Sequence, residues 1–249
     1  MSDEVDSSEG EFIEFKCPYC GGLTAFPAGD AGAVQGCPFC PQSFLVPPAN
    51  ATPAQPLPIP LATPRLTLRR LRIQDVADLA EFMGGEELVR YSEASPMDEA
   101  GIADWIEQDQ ASPMLQPDIV SWLGIELNET GRLIGHAAVI YKREALGAQP
   151  NREANVSLYI NPALHRKGFG LEALQGLLAF GFKGINLRRI TARCDSRNAA
   201  ARALLIKAGL RFEGEFFQET FVKTEWVDKS YYAMLAGEYQ GDRQVQTPG

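Results

Sequence analysis

The 249-residue chain has no apolar run near the roughly 18 residues that a membrane-spanning helix needs, which sets aside an integral helical membrane protein. It has no basic residue before Lys16: Asp3, Glu4, Asp6, Glu9, Glu11 and Glu14 come first, the opposite of a secretory or transit peptide. The expected setting is therefore the cytoplasm. Between Cys17 and Val46 there is again no Lys or Arg, so this stretch lacks the phosphate contacts on which nucleic-acid affinity depends. Cysteine is scarce, five in all, and four of the five fall in one pattern. What the chain does have is a 45% hydrophobic content, enough for a sizeable core, and a length suited to one large or two small domains at roughly 100–200 residues each.

The cysteine pattern is Cys17-Pro18-Tyr19-Cys20 and Cys37-Pro38-Phe39-Cys40. Each pair presents two thiolates from a tight turn, and two such turns complete a tetrahedral site for one ion. Proline after the first cysteine of each pair presets φ for the turn. The pattern resembles a zinc ribbon, with Cys17, Cys20, Cys37 and Cys40 as ligands. Two disulfides are the alternative, disfavoured where thiols are kept reduced. About thirty residues cannot bury enough apolar surface to fold alone, so ligation would supply the missing stability. Tyr19, Phe26, Phe39 and Phe44 serve either as a miniature core or as an apolar face for a protein partner.

From Pro47 to Pro64 seven of eighteen residues are proline, a composition that resists helix and sheet and tends toward polyproline II. This reads as a domain boundary, with a docked and ordered linker as the alternative.

The most informative run begins at Glu153. An apolar strand, Val156 to Pro162, leads into His165-Arg166-Lys167-Gly168-Phe169-Gly170 and then directly into a helical stretch. A strand opening through glycines and basic residues into a helix is suited to phosphate: first-turn N–H groups lack helical partners, and the macrodipole adds partial positive charge. A second strand, Arg188 to Asp195, and a helix capped at Asn198 follow. Between His165 and Arg211 ten Lys or Arg face only Glu172 and Asp195, a bias that suits a polyphosphate ligand.

This order and these residues resemble the GNAT superfamily of acyl-CoA N-acyltransferases, nearest the ribosomal-protein-alanine N-acetyltransferase branch. That family's pyrophosphate motif has Gln or Arg, two residues, Gly, one residue, then Gly or Ala; here His165 replaces the first position. The branch's closing pattern, Asp, three residues, Tyr, matches Asp228 and Tyr232. The resemblance implies an α+β fold, a central mixed, mostly antiparallel sheet flanked by helices, joined to a small zinc ribbon. Its expected divisions are an acidic disordered tail at 1–15, the ribbon-like module at 16–46, the proline-rich linker at 47–64, the acetyltransferase domain at 65–240 and a tail at 241–249.

Within the domain, Arg65 to Arg72 reads as the first strand, and Asp75 caps a helix that Gly84-Gly85 stop. A second helix starts near Ser95 to Asp98. Ile119 to Leu127 and Arg132 to Tyr141 read as a hairpin, Lys142 to Arg152 as a loop, and Arg211 to Val222 with Val227 to Ala236 as closing strands. By resemblance, acetyl-CoA is the cosubstrate. Tyr159 and Ile160 then offer backbone groups to its pantetheine arm, while His165, Arg166, Lys167, Gly168, Phe169, Gly170 and Asn198 contact the rest.

Three proton-handling positions of the branch are filled otherwise. Asn155 stands where a strand Glu often serves as base, Ala201 where a Ser stands, and Leu205 where a Tyr protonates the leaving thiolate. Glu153 and Glu126 are the substitute base candidates and Tyr232 the acid candidate, with salt bridging the alternative for both carboxylates. His136 and Cys194 read as packing residues. The expected reaction is direct acetyl transfer to an amine, a protein or peptide α-amine or a small amine. The rival reading is a non-catalytic coenzyme-binding protein whose ribbon recruits a protein partner.

Overall fold

The computed structural model describes residues 12–48, 55–115, 118–146 and 149–241. Most of the expected acidic tail, the middle of the proline-rich segment and nearly all of the C-terminal tail lie outside these residues.

The N-terminal module is two small sheets. β1 (Phe12–Lys16) pairs antiparallel with β2 (Leu23–Pro27), and β3 (Val34–Gly36) pairs with β4 (Ser43–Leu45). Ile13, Phe15, Cys17, Phe44 and Val46 make its core, with Phe26 packed against it, and the Phe15, Phe26 and Phe44 rings lie 5.2–5.9 Å apart. Of the four aromatics expected to form either a core or a face, Phe26 and Phe44 are inside, whereas Tyr19 and Phe39 are exposed.

The proline-rich segment is ordered where it is described. β5 (Gln55–Pro56) adds to β4, and β6 (Leu61–Ala62) pairs with β7 (Leu66–Arg70) of the large sheet. The Leu57 N–H donates to the Tyr19 hydroxyl at 3.1 Å, and Val34 and Leu57 are buried in the main core. These two-residue strands carry no periodicity to read. A proline there needs only a position whose N–H is not demanded by the ladder.

The large sheet has eight strands in the order β12 (Arg211–Val222), β13 (Glu225–Leu235), β11 (Arg189–Asp195), β10 (Gln149–Ile160), β9 (Leu133–Leu146), β8 (Val120–Leu127), β7 and β6. β8, β9 and β10 form an antiparallel meander. The residues expected to loop between the last two instead extend the hairpin, with Lys142 opposite Glu153 and Leu146 opposite Gln149. A polar pairing of this kind lacks the apolar alternation that marks a half-buried strand.

α1 (Val76–Met83) and α3 (Glu99–Ala111), with the short α2 (Glu86–Val89) between them, cover one face of the sheet. Asp98 caps α3 by accepting from the Gly101 N–H at 2.9 Å, a contact worth about 1 kcal/mol. On the opposite face lie α4 (Phe169–Ala179) and α5 (Ala199–Lys207). β11, β12 and β13 complete the sheet.

Candidate functional site

β10 and β11 are parallel neighbours, yet they pair only from Glu153 opposite Arg189 to Asn155 opposite Thr191. Beyond that point both strands continue without bonding each other. The sheet therefore opens, and the β10 backbone from Val156 to Ile160 has a partner only on its β9 side. Period-two alternation divides its side chains. Ala154, Val156 and Ile160 are buried in the core with α4, while Glu153, Asn155, Ser157 and Tyr159 point to the other face of the sheet. At the open end Gly135 of β9 is required, since a Cβ there would meet the Tyr159 carbonyl oxygen at 2.2 Å.

β10 runs directly into the glycine turn. Asn161 caps a short 3-10 turn, accepting from the Ala163 N–H at 3.0 Å. The His165 Nε2–H then donates back to the Ile160 carbonyl at 2.9 Å, so this ring fastens the turn to the strand end. Arg166 and Gly168 adopt left-handed backbone, φ 62° and 84°, and Gly168 caps α4. The first-turn amides of α4, from Phe169 and Gly170 onward, thus open beside the gap between β10 and β11.

Three residues that no sequence pattern singled out hold this turn. The Glu172 carboxylate, on the first turn of α4, accepts from the Thr63 hydroxyl at 2.7 Å, the Arg65 N–H at 2.7 Å and the Arg65 Nε at 2.6 Å. Burial opposes ionisation of Glu172, yet the Thr63 and Arg65 donors hold it below the usual carboxylate range. The Arg65 guanidinium also donates to the Lys167 carbonyl at 3.0 Å and lies 4.5 Å over the Phe169 ring. Half of that side chain remains exposed.

Across the gap, Asn198 caps α5, accepting from the Ala201 N–H at 3.0 Å. Tyr232 is fully buried on the same side of the sheet, with its hydroxyl 3.3 Å from the Arg202 Nε. Cys194 packs against the core, and burial pushes its thiol up to about 11.

The opposite face carries the two base candidates, and the structure does not bring them together. Glu153 lies opposite Lys142 on β9, and Glu126 opposite Leu133; nine residues of strand separate those levels by about 30 Å. Each carboxylate is in an ion pair, Glu153 with Arg189 at 3.4 Å and Glu126 with the buried Arg69 at 2.6 Å. Between them lies an aromatic group. His136 sits 5.0 Å from Tyr159, 5.3 Å from Trp105 and 5.4 Å from Trp122, centre to centre. Burial brings the imidazole down to about 4, and Nδ1 has no hydrogen-bond partner among the described residues. A group so reluctant to take a proton is a poor base. Ser92 reaches the Tyr159 side chain, and Glu93 lies 3.9 Å from Arg193 and 3.7 Å from Lys229. The loop before α3 therefore overhangs the open strands.

In the N-terminal module the four sulfurs lie within 4.8 Å of one another, with Cys17–Cys40 at 3.9 Å and Cys20–Cys37 at 3.7 Å. A tetrahedron with metal–sulfur bonds of about 2.3 Å has edges of about 3.8 Å, whereas a disulfide needs about 2.05 Å. The donor set fits one thiophilic ion. Each knuckle is closed by its own backbone: the Cys17 N–H donates to the Gly22 carbonyl at 2.9 Å and the Cys37 N–H to the Gln42 carbonyl at 2.8 Å. A separate cavity of about 490 Å³, bounded by Tyr19, Leu57, Arg70 and Met114, lies where module and sheet meet.

Comparison with known proteins gives a consistent result. The family described as acetyltransferase (GNAT) domain matches residues 65–211, more than half of the chain. The chain is 28% identical over 180 residues to the uncharacterized N-acetyltransferase YnaD of Bacillus subtilis, covering 72% of this chain and 98% of that one. The fold is shared with Mycobacterium smegmatis RimJ in complex with CoA-disulfide: TM-score 0.61, 21% identity, 70% of this chain and 84% of that one. It is also shared with Vibrio cholerae spermidine N-acetyltransferase in complex with CoA and spermine, at TM-score 0.59, 20% identity, and 71% and 98% coverage.

Proposed function

The chain belongs to the GNAT acetyltransferase family and is an N-acetyltransferase, and on that premise we propose that it moves acetyl from acetyl-CoA to an α-amine of a protein or peptide, or to a small amine of low pKa. The coenzyme pyrophosphate lies on the Arg166–Gly170 turn, where α4 opens, and the pantetheine arm runs along the unpaired edge of β10 at Tyr159 and Ile160. A neutral amine attacks the thioester carbonyl and a β10 N–H meets the developing oxyanion; collapse of the tetrahedral intermediate breaks the C–S bond, and coenzyme A leaves as the thiol, taking up the proton that the amine nitrogen loses. Asn198, at the head of α5, borders the coenzyme from across the gap. Fold partners in complex with CoA or CoA-disulfide support the cosubstrate.

One observation carries the acceptor class: no carboxylate on the acceptor face of β10 is free to take a proton. Asn155 stands at the head of the opening, Glu153 is paired with Arg189, and His136 is held neutral by burial. Without strong base assistance the enzyme depends on amines already partly neutral. Matched peptides, one with its N-terminus blocked and one with its lysine blocked, test this through thiol release. Faster reaction of the free lysine would overturn it.

We further propose that Cys17, Cys20, Cys37 and Cys40 hold one zinc. Its role is structural, because four thiolates leave no open coordination position. Metal analysis of protein purified without added zinc should give close to one ion per chain.

A further inference from the structure

The segment 55–65 touches the cysteine module at one end and the glycine turn at the other. At the module end, β5 lies on β4 and the Leu57 N–H bonds the Tyr19 hydroxyl; Tyr19 stands inside the first knuckle, between Cys17 and Cys20. In the middle, β6 pairs with β7. At the far end, Thr63 and Arg65 place four hydrogen bonds on α4 and its turn, three to Glu172 and one to the Lys167 carbonyl. The module also meets the hairpin that leads to the open strands, since the Gly32 carbonyl accepts from Arg152 and Val34 packs in the same core as Tyr141.

We propose that the cysteine module is a metal-dependent brace for the coenzyme turn, acting through this strap, with Arg65 as the positioning residue at its end. The inference rests on reading the Arg166–Gly170 turn as the acetyl-CoA site. The physical chain is short. A module this small does not stay folded without its ion. When it unfolds, β5 loses its partner strand and Leu57 its acceptor, so the strap loses its anchor at the module end and is held only from the large-sheet side, by the β6–β7 ladder, the packing of Ile59 and Leu61, and the bonds of Thr63 and Arg65 with Leu66 and Asn128. Arg65 then spends less time on Glu172. A carboxylate that loses its cation on the first turn of α4 opposes phosphate at the same helix end. The Lys167 carbonyl, which Arg65 restrains, is freed as well. Coenzyme affinity falls although no metal ligand touches the coenzyme.

Linkage makes the effect reciprocal, since coenzyme must strengthen metal retention by the factor with which metal strengthens coenzyme binding. The full-length protein is measured by calorimetry with coenzyme A in three states: metal-loaded, stripped with a chelator, and reloaded with zinc. Stripping should weaken binding about fivefold or more, the lower end of ordinary coupling, and reloading should restore it. Zinc release to a chromophoric chelator should slow when coenzyme A is present. In Arg65→Gln protein the KM for acetyl-CoA should rise while kcat changes little, and stripping should then have less than half its former effect. Arg65→Lys should recover part of the loss.

Binding within twofold after stripping, zinc release indifferent to coenzyme A, or an undiminished stripping effect in Arg65→Gln would each overturn the brace. If stripping unfolds the large sheet too, the release measurement on loaded protein decides. A metal-loaded protein that binds no coenzyme A would instead overturn the coenzyme reading. A chain that neither carries nor accepts metal would overturn the brace outright.

Discussion

On one side of β10, Ala154, Val156 and Ile160 press against α4; on the other, Glu153 and Asn155 meet Arg189 and Thr191 of β11, and Tyr159 meets His136 and the loop before α3. The first side ends in a turn whose parts are contiguous, His165 to Gly170, so its residue types and spacing are visible together. The second is assembled from Ser92, Trp105, Trp122, His136 and Tyr159, which lie far apart in the chain and show no pattern as a string. Local geometry builds the coenzyme side, and tertiary assembly builds the acceptor side. On the proposed reading the coenzyme side would hold an anion with backbone, and the acceptor side offers only carboxylates that already face cations, Glu153 on β10 and Glu93 above it.

The largest effect sharpens that contrast. At pH near 7.3 an α-amine of pKa 7.7–8.0 is roughly one-fifth neutral, and a lysine near 10.4 less than one part in a thousand. An acceptor side without an effective base should therefore favour the α-amine by about 200-fold in kcat/KM. Equal rates in blocked-peptide assays would mean that a proton acceptor operates on that side, and the contrast would fail.

How much of this is legible in the sequence follows the same division. β7, α1, α3, the β8–β9 hairpin, β10, β11 and β13 follow from period, because each buries one face or stripe, and α5 from its Asn198 cap, whereas β12 is exposed along nearly all of its length and carries no such alternation. The strands at 55–56 and 61–62 and the extended β9–β10 hairpin do not, since backbone pairing without apolar alternation leaves no trace in side-chain pattern. Arg65 shows the limit most sharply. As a string it is the first residue of a strand; folded, it clasps Glu172, more than a hundred residues away.

A second test addresses the coenzyme side. Gly168 sits at φ 84°, and a Cβ there would lie 3.2 Å from the Arg65 guanidinium. Gly168→Val both strains the backbone and pushes the positioning arginine, so coenzyme affinity should fall at least about 30-fold, near 2 kcal/mol. Gly170 has room for a methyl, its nearest neighbour being Leu204 at 3.6 Å, so Gly170→Ala should cost much less. Calorimetry on folded proteins compares the two. Unchanged affinity in Gly168→Val would mean that the turn holds no phosphate.

The third test concerns His136. The unfolded chain protonates this residue near pH 6.5, the folded chain only near 4. Between those values the unfolded state binds more protons, so stability falls as pH drops from 6.5 toward 4; above 6.5 the group has no effect. The full difference amounts to about 3 kcal/mol as an upper bound, and about 2 is expected in denaturant melts. His136→Phe keeps an aromatic ring beside Trp105, Trp122 and Tyr159 and should flatten this acid limb. A limb unchanged in that variant would show that the imidazole is reached by water.

The smallest expected effect is the most discriminating, because it asks whether Glu153 belongs to the acceptor side as chemistry or as structure. Its carboxylate is 3.4 Å from the Arg189 Nε, and Arg189 also pairs closely with Glu213, so Glu153 is one arm of a partly exposed ion-pair network. It lies two residues before Asn155, within the paired part of β10 rather than at the opening. Exposed pairs of this kind contribute up to about 1 kcal/mol, whereas removing a general base costs about 100-fold or more in rate. Glu153→Gln should therefore leave kcat within about twofold and lower stability by under about 1 kcal/mol. Glu126→Gln should likewise spare kcat but destabilise more, since Glu126 faces the buried Arg69, whose second partner, Asp75, must then carry that charge alone. The two variants together separate charge pairing from proton transfer. A hundredfold fall in kcat with an unchanged melt in either one would identify the base and remove the reason for preferring α-amines.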